Sequence, residues 1–163
     1  LDITTTRCVN NYGPRQFPEK FIPKIILCAL FNKQIPIHGN GKARRQWIHV
    51  TDHCSAIWKI LQNSSFGHVY NIPGNYEIDN LSLAKKILSL IHKKEDLLTF
   101  VAERPGHDTR YAISSKIIKK NLNFSPEITF SKGIQQTIDW YFENKNWWKK
   151  EFSSIQNPTP WIK

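Results

Sequence analysis

Methionine is absent from all 163 residues, the first position included. A chain that starts its own translation normally carries one, and Leu1-Asp2-Ile3-Thr4-Thr5-Thr6-Arg7 reads as a strand already under way, so the expectation is a piece of a longer protein. Cysteine is scarce: Cys8, Cys28 and Cys54 are odd in number and widely spaced. That excludes a disulfide framework and the spacing of a zinc site, and fits reduced thiols in a cytoplasmic protein. Only seven glycines occur, and none forms the Gly-x-Gly-x-x-Gly or Gly-x-x-Gly-x-x-Gly turn that cradles a dinucleotide's phosphates after a strand. No apolar run approaches the roughly 20 residues needed to cross a bilayer, and no signal-peptide pattern opens the chain. A soluble protein with no membrane partner is expected. A nucleophile elbow, a His-Glu-x-x-His helix, a P-loop and a Cys–His signature are also missing, so no catalytic residue is assigned.

Acid is the other shortage. Thirteen Asp and Glu face 23 Lys and Arg, for a formal charge of +10. The late lysines, such as Lys85, Lys86, Lys93, Lys94, Lys119 and Lys120, fall in pairs on helical patterns, as on a solvated face. The early set, Arg15, Lys20, Lys42, Arg44 and Arg45, lies in loops with Gly and Pro, a better place for an anion.

What remains reads as alternating strands and helices. Residues 2–8 form a Thr- and Ile-rich strand, broken by the turn residues of 10–14. From 18 to 33 the apolar residues recur at helical spacing, with the helix proper starting near Pro23. Residues 35–38 and 45–50 are strands; Thr51 as N-cap and Asp52 as first-turn acid open a helix to about 62, with Cys54, Ile57, Trp58 and Leu61 inward. A strand at 68–72, a turn at 73–75, a helix at 81–92, a strand at 98–102 and a polar loop at 103–108 follow. Helices at 115–122 and 131–145 and a loosely ordered tail complete an α/β chain.

Asn10, Asn11, Lys20, Arg44, Arg45, Asn71, Arg104 and His107 all lie in loops or at strand ends, where open α/β sheets collect ligands. Arginine offers a fork of donors to phosphate oxygens, and two of them suit a diphosphate. His49 and His53 are four apart, but one lies in a strand and the other after a helix cap. That breaks the geometry of a metal pair, and no metal is expected.

Five blocks then occur in order: Arg7-Cys8-Val9-Asn10-Asn11-Tyr12-Gly13-Pro14, Phe17-Pro18-Glu19-Lys20-Phe21-Ile22-Pro23, Arg45-Gln46-Trp47-Ile48-His49-Val50-Thr51-Asp52-His53, Tyr70-Asn71-Ile72, and Arg104-Pro105-Gly106-His107-Asp108-Thr109-Arg110-Tyr111-Ala112. Together they resemble the C-terminal half of the dTDP-glucose 4,6-dehydratases, of the extended short-chain dehydrogenase/reductase superfamily, over residues 1–150; 151–163 are a tail. The resemblance implies the last strands and helix of a Rossmann domain, with strands near 2–8 and 68–72 in its sheet, plus a small α/β lobe that holds the substrate. It implies a lyase that uses NAD, bound mainly by an N-terminal part not in this chain, where the catalytic residues and the homodimer contacts also lie. Substrate contacts carried over are Asn10, Lys20, Phe21, Pro36, Ile37, His38, Arg45, Asn71, Glu103, Arg104, Pro105, Gly106 and His107. Asn11 falls near the nicotinamide end of the cofactor. Three positions depart from the pattern: His38 and His49 stand where Tyr is common, and Gln46 replaces the usual Asp after Arg45, removing a carboxylate that would orient that arginine.

Other members of the superfamily, a UDP-glucose 4,6-dehydratase, a decarboxylase or an epimerase, stay open, as does a fragment without enzymatic function. A nucleic-acid module is the rival from a different class. Against it, Trp47, Trp58, Trp140 and Tyr141 fall on core-like positions, and no nucleic-acid motif is present.

Overall fold

The computed structural model describes residues 3–63, 67–103 and 105–152. Among the described residues, eight short strands and six helices are interleaved. Strands β1 (Thr5–Cys8) and β2 (Asn10–Tyr12) lead to helix α1 (Phe21–Leu30). Strands β3 (Ile35–His38) and β4 (Arg44–His49) precede α2 (Val50–Asn63). Strands β5 (Val69–Ile72) and β6 (Tyr76–Asp79) precede α3 (Asn80–Leu90). Then come β7 (Leu98–Val101), β8 (Arg110–Tyr111), α4 (Lys116–Leu122), α5 (Phe130–Glu143) and α6 (Lys145–Phe152).

Three small sheets result. β1 pairs with β5 and β3 with β7, both in parallel. β4 is the centre of the third: β6 runs antiparallel along one edge, while β8 and β2 share the opposite edge, both parallel to it. Parallel pairing dominates, as alternating strands and helices dictate.

α1 is central. Pro23 occupies its third position, where the missing N–H has no intrahelical acceptor to lose. Ile22, Ile25, Ile26, Leu27 and Ala29 are all fully buried, so the helix is covered almost all round. It packs with α3, α5 and β3 in a core that includes Ile87, Ile134, Ile138 and Trp148. A second core lies under α2 and α4, where Ala56, Ile60, Ile118 and Leu122 meet Ile48, Tyr70 and Ile72.

Several expectations need correction. Residues 10–12 are a strand, not a turn: pairing of Asn10, Asn11 and Tyr12 with Trp47, Ile48 and His49 outweighs the turn preference of asparagine, and the chain breaks only at Gly13. α2 starts at Val50, so Thr51 is not its cap. Instead the Thr51 N–H donates to His49 Nδ1, and the buried Asp52 carboxylate accepts from the Ile128 N–H. The inward face of α2 is Asp52, Ala56 and Ile60; Cys54, Ile57, Trp58 and Leu61 point outward, with Leu61 72% exposed. β6 and β8 follow the predicted turn at 73–75 and loop at 103–108, in stretches given no element by the sequence, and each finds a partner on β4. The helix expected over 131–145 ends as α5 at Glu143, and α6, not expected from the sequence, follows after Asn144. Most of the tail lies outside the described residues.

Candidate functional site

Asn10 and Asn11 are placed by β2. The Asn11 amide is held from three sides: Nδ2 donates to the Val9 carbonyl (3.2 Å) and the Cys8 thiol (3.3 Å), and Oδ1 sits 2.7 Å from His53 Nδ1. Burial lowers the His53 pKa, and because an amide oxygen only accepts, the ring Nδ1–H donates to it. After β2 the chain turns through Gly13 at φ 144°, where a side chain would collide with Val50 at 2.6 Å. The turn opens a cavity of about 560 Å³ lined by Asn11 through Gln16 with Val50, Thr51 and Cys54.

Alternation along β4 sends Arg45, Trp47 and His49 to one face and Arg44, Gln46 and Ile48 to the other. Arg45 is only 9% exposed, and its Nη1 donates to the Arg44 carbonyl at 2.7 Å. No carboxylate pairs with it among the described residues. A buried guanidinium without an anion is costly, and an incoming phosphate would relieve that cost. Gln46 does not bear on Arg45 at all: its amide donates to the Gly74 carbonyl and accepts from the Ile113 N–H, a brace on the other face. A carboxylate at position 46 would therefore not face Arg45.

Arg44 is likewise removed from the anion-binding set. Its Nε donates to Glu77 Oε1 at 2.9 Å, and Arg110 grips the same carboxylate with Nε (2.9 Å) and Nη2 (2.8 Å). The bonds from Arg110 and Arg44 pull the Glu77 pKa down from 4.5 to about 2. Glu77 was not singled out in the sequence, and nothing there pairs it with Arg44 or Arg110.

At the parallel ends of β3 and β7 a second group gathers. His38 Nδ1 donates to the Ala102 carbonyl (3.3 Å), and His107 Nδ1 lies 2.9 Å from Glu103 Oε1. Gly39, at φ 56°, leaves room for the Glu103 carboxylate, which any Cβ there would strike at 2.1 Å. The turn after β3 is bonded to Leu81 through Gly41, and Arg44 N–H donates to the Thr109 carbonyl. The ends of β3 and β7, the 103–109 loop and the start of β4 are thus stitched together within a few residues.

The predicted residues fare unequally. His38, Glu103 and His107 come together, with Pro105 and Gly106 on the exposed loop between the last two. Ile37 is fully buried in the core around α1, and Pro36 is half-buried. Lys20 is exposed just before α1 and Phe21 packs against the central core. Asn71 stands on the separate β1–β5 pair, opposite Arg7. Arg104 lies outside the described residues. Among the described residues no group of three His, Cys, Asp or Glu is arranged to hold a metal, and no helix is long and apolar enough to cross a membrane.

This geometry has counterparts. The DesIV dTDP-glucose 4,6-dehydratase of Streptomyces venezuelae, solved with NAD bound, superposes at a TM-score of 0.90 with 37% identity over 92% of this chain and 47% of its own. The dTDP-glucose 4,6-dehydratase of Bacillus anthracis, also with NAD, gives 0.86 and 44% identity over 90% of this chain and 47% of its own. By fold the chain is therefore a portion of an extended short-chain dehydrogenase/reductase of Rossmann type. The family model described as GDP-mannose 4,6 dehydratase matches residues 1–137, and the chain belongs to that family. In sequence it is 44% identical over 149 residues to the dTDP-glucose 4,6-dehydratase of Streptomyces niveus, covering 91% of this chain and 44% of that relative. The chain spans about half the length of the relatives it matches.

Proposed function

We propose that this chain is the nucleotide-sugar-holding part of an NAD-dependent dTDP-glucose 4,6-dehydratase, which converts dTDP-glucose to dTDP-4-keto-6-deoxyglucose and water. The observation that carries the reading is Arg45, nine-tenths buried, without a carboxylate partner among the described residues, and beside the strand that ends the loop after β7 through its pairing with Tyr111. In this reading Arg45 takes the diphosphate, the loop with His107 and Glu103 closes over the nucleoside, and His38 flanks the base. Asn10 reaches the sugar, Lys20 and Phe21 belong to the loop over the diphosphate, and Asn71 contacts the nucleotide. β1 and β5 belong to the cofactor-binding sheet and the remainder to the substrate lobe. Catalytic side chains and the dimer contact belong to the rest of the enzyme.

NAD, when bound, accepts and returns the hydride. The residues of this chain fit only its edge: in this reading Asn11, braced by His53 and Cys8, would meet the nicotinamide end, while no glycine-rich turn is present for the pyrophosphate. What this chain supplies is grip. A handle remote from the reacting carbons provides binding energy that orients the hexose.

The test is ligand-dependent thermal unfolding. dTDP is expected to protect the chain at physiological salt, whereas an oligonucleotide protects only at low salt. Arg45→Ala is expected to weaken dTDP binding at least about tenfold, or ~1.4 kcal/mol. Unchanged affinity removes Arg45 from the site.

A further inference from the structure

We propose that Glu77 is a positioning residue: by clamping Arg110 against Arg44 it fixes the 103–109 loop in register beside Arg45. The inference rests on the reading above for what the loop covers, but the clamp itself stands on geometry alone.

The loop leaves β7 at Val101 and joins the sheet of β4 only at β8, which is two residues long and exposed at both. Two residues of parallel pairing cannot hold a loop firmly, because parallel ladders need length to offset the entropy of ordering. Its other ties on this side are single bonds: Arg44 N–H to the Thr109 carbonyl (2.8 Å), Ile113 N–H to Gln46 Oε1 (3.2 Å) and the Tyr111 hydroxyl to the Cys8 carbonyl (3.3 Å). Against these stands a three-bond junction. Arg110 approaches Glu77 side-on with two donors, and Arg44 fills the remaining valence of Oε1.

An isolated exposed ion pair contributes little. This one differs in two ways. The planar fork of Arg110 matches both carboxylate oxygens, so little further ordering is lost per bond. Glu77 itself is the least exposed member, at 23% against 50% for Arg44 and 61% for Arg110, and lies on β6, a strand fully paired to β4. The carboxylate is thus a fixed post, and the loop's returning strand is moored to it. The same register sets Tyr111 opposite Arg45 and Arg110 opposite Arg44. Slippage at the clamp would carry the loop away from the buried guanidinium.

The experiment is hydrogen exchange of the whole chain, with and without dTDP, in wild type, Glu77→Gln, Arg110→Gln, Arg44→Ala and the Glu77→Gln/Arg110→Gln double variant. Glu77→Gln and Arg110→Gln are each expected to speed exchange of the 105–111 amides about tenfold while residues 21–30 stay unchanged. Arg44→Ala, which leaves both Arg110 bonds, should act less. The double variant should be no worse than either single one, since both remove the same junction. Unchanged exchange at 105–111 in Glu77→Gln, or additive effects in the double variant, overturns the clamp. Should 21–30 loosen equally, the effect is global unfolding and the positioning role is rejected. Where dTDP binds, its affinity should fall three- to tenfold in Glu77→Gln. If wild type ignores dTDP while the exchange pattern holds, the nucleotide reading fails and the clamp survives.

Discussion

The two cores of this molecule are finished to different degrees. The core around α1 is closed: Ile22, Ile25 and Ile26 are enclosed by α3 and α5, and Trp148 of α6 covers the end of the helix, its indole N–H donating to the Tyr141 carbonyl and its ring meeting Phe31 edge-on. The core under α2 is closed on one side only. Ala56 and Ile60 are buried against β4 and β5, but the opposite face of the same helix presents Ile57, Trp58 and Leu61 to solvent, and β1 pairs on one edge with β5 and on the other with nothing among the described residues. The first region stabilises itself. The second holds apolar surface that its own chain does not cover, which fits relatives about twice as long.

Breaking each region should therefore cost different amounts. Ile26→Ala removes a fully enclosed side chain from the closed core and should destabilise the chain by about 2–5 kcal/mol, read from denaturant midpoints. A loss below 1 kcal/mol would show that the α1 core is looser than its burial implies. Gly133→Ala comes next. An added Cβ meets the Tyr12 hydroxyl at 2.5 Å and His49 at 2.9 Å, both in buried rings. Overpacking of this kind costs about 1–3 kcal/mol, against the ~1 kcal/mol that alanine gains over glycine in a helix, so a net loss of up to about 2 kcal/mol is expected. Leu61→Asn on the open face should change stability by less than about 0.5 kcal/mol while improving solubility. A larger loss would mean that the α2 face is already covered, by a second copy of the chain, and sedimentation would reveal that assembly.

Much of the closed region was legible in the sequence. The 3.6-residue spacing of Phe21 to Leu30 and Leu81 to Leu88 marks helices covered by their own chain, and Ile35 to His38 alternates as a half-buried strand does. The open region misled for a physical reason. α2 carries two apolar stripes, and the bulkier one, with Trp58 and Leu61, was assigned inward because periodicity measures hydrophobicity and not which partner is present. β2 was hidden by turn-forming asparagines that its pairing with β4 overrides. Within the site, Arg45 and His107 were singled out from residue types in loops and at strand ends, while the bond between His107 and Glu103 is visible only in the structure. The sorting of Arg44 away from Arg45 follows from strand alternation once the strand's start is known. Glu77 was out of reach, since its partners lie 33 residues away in both directions and only the β6–β4–β8 order brings them together.

The three thiols differ in accessibility in a way that makes one of them a built-in probe. Cys28 is buried in α1, where desolvation pushes its pKa up despite Lys24 and Lys33, and Cys8 is half-buried and accepts a bond from Asn11. Cys54 alone stands exposed, at the edge of the bare α2 stripe and on the rim of the cavity beside Asn11. A maleimide added to the native chain would mark that one position first. Its labelling rate becomes a direct gauge of whatever comes to rest on this side of the protein.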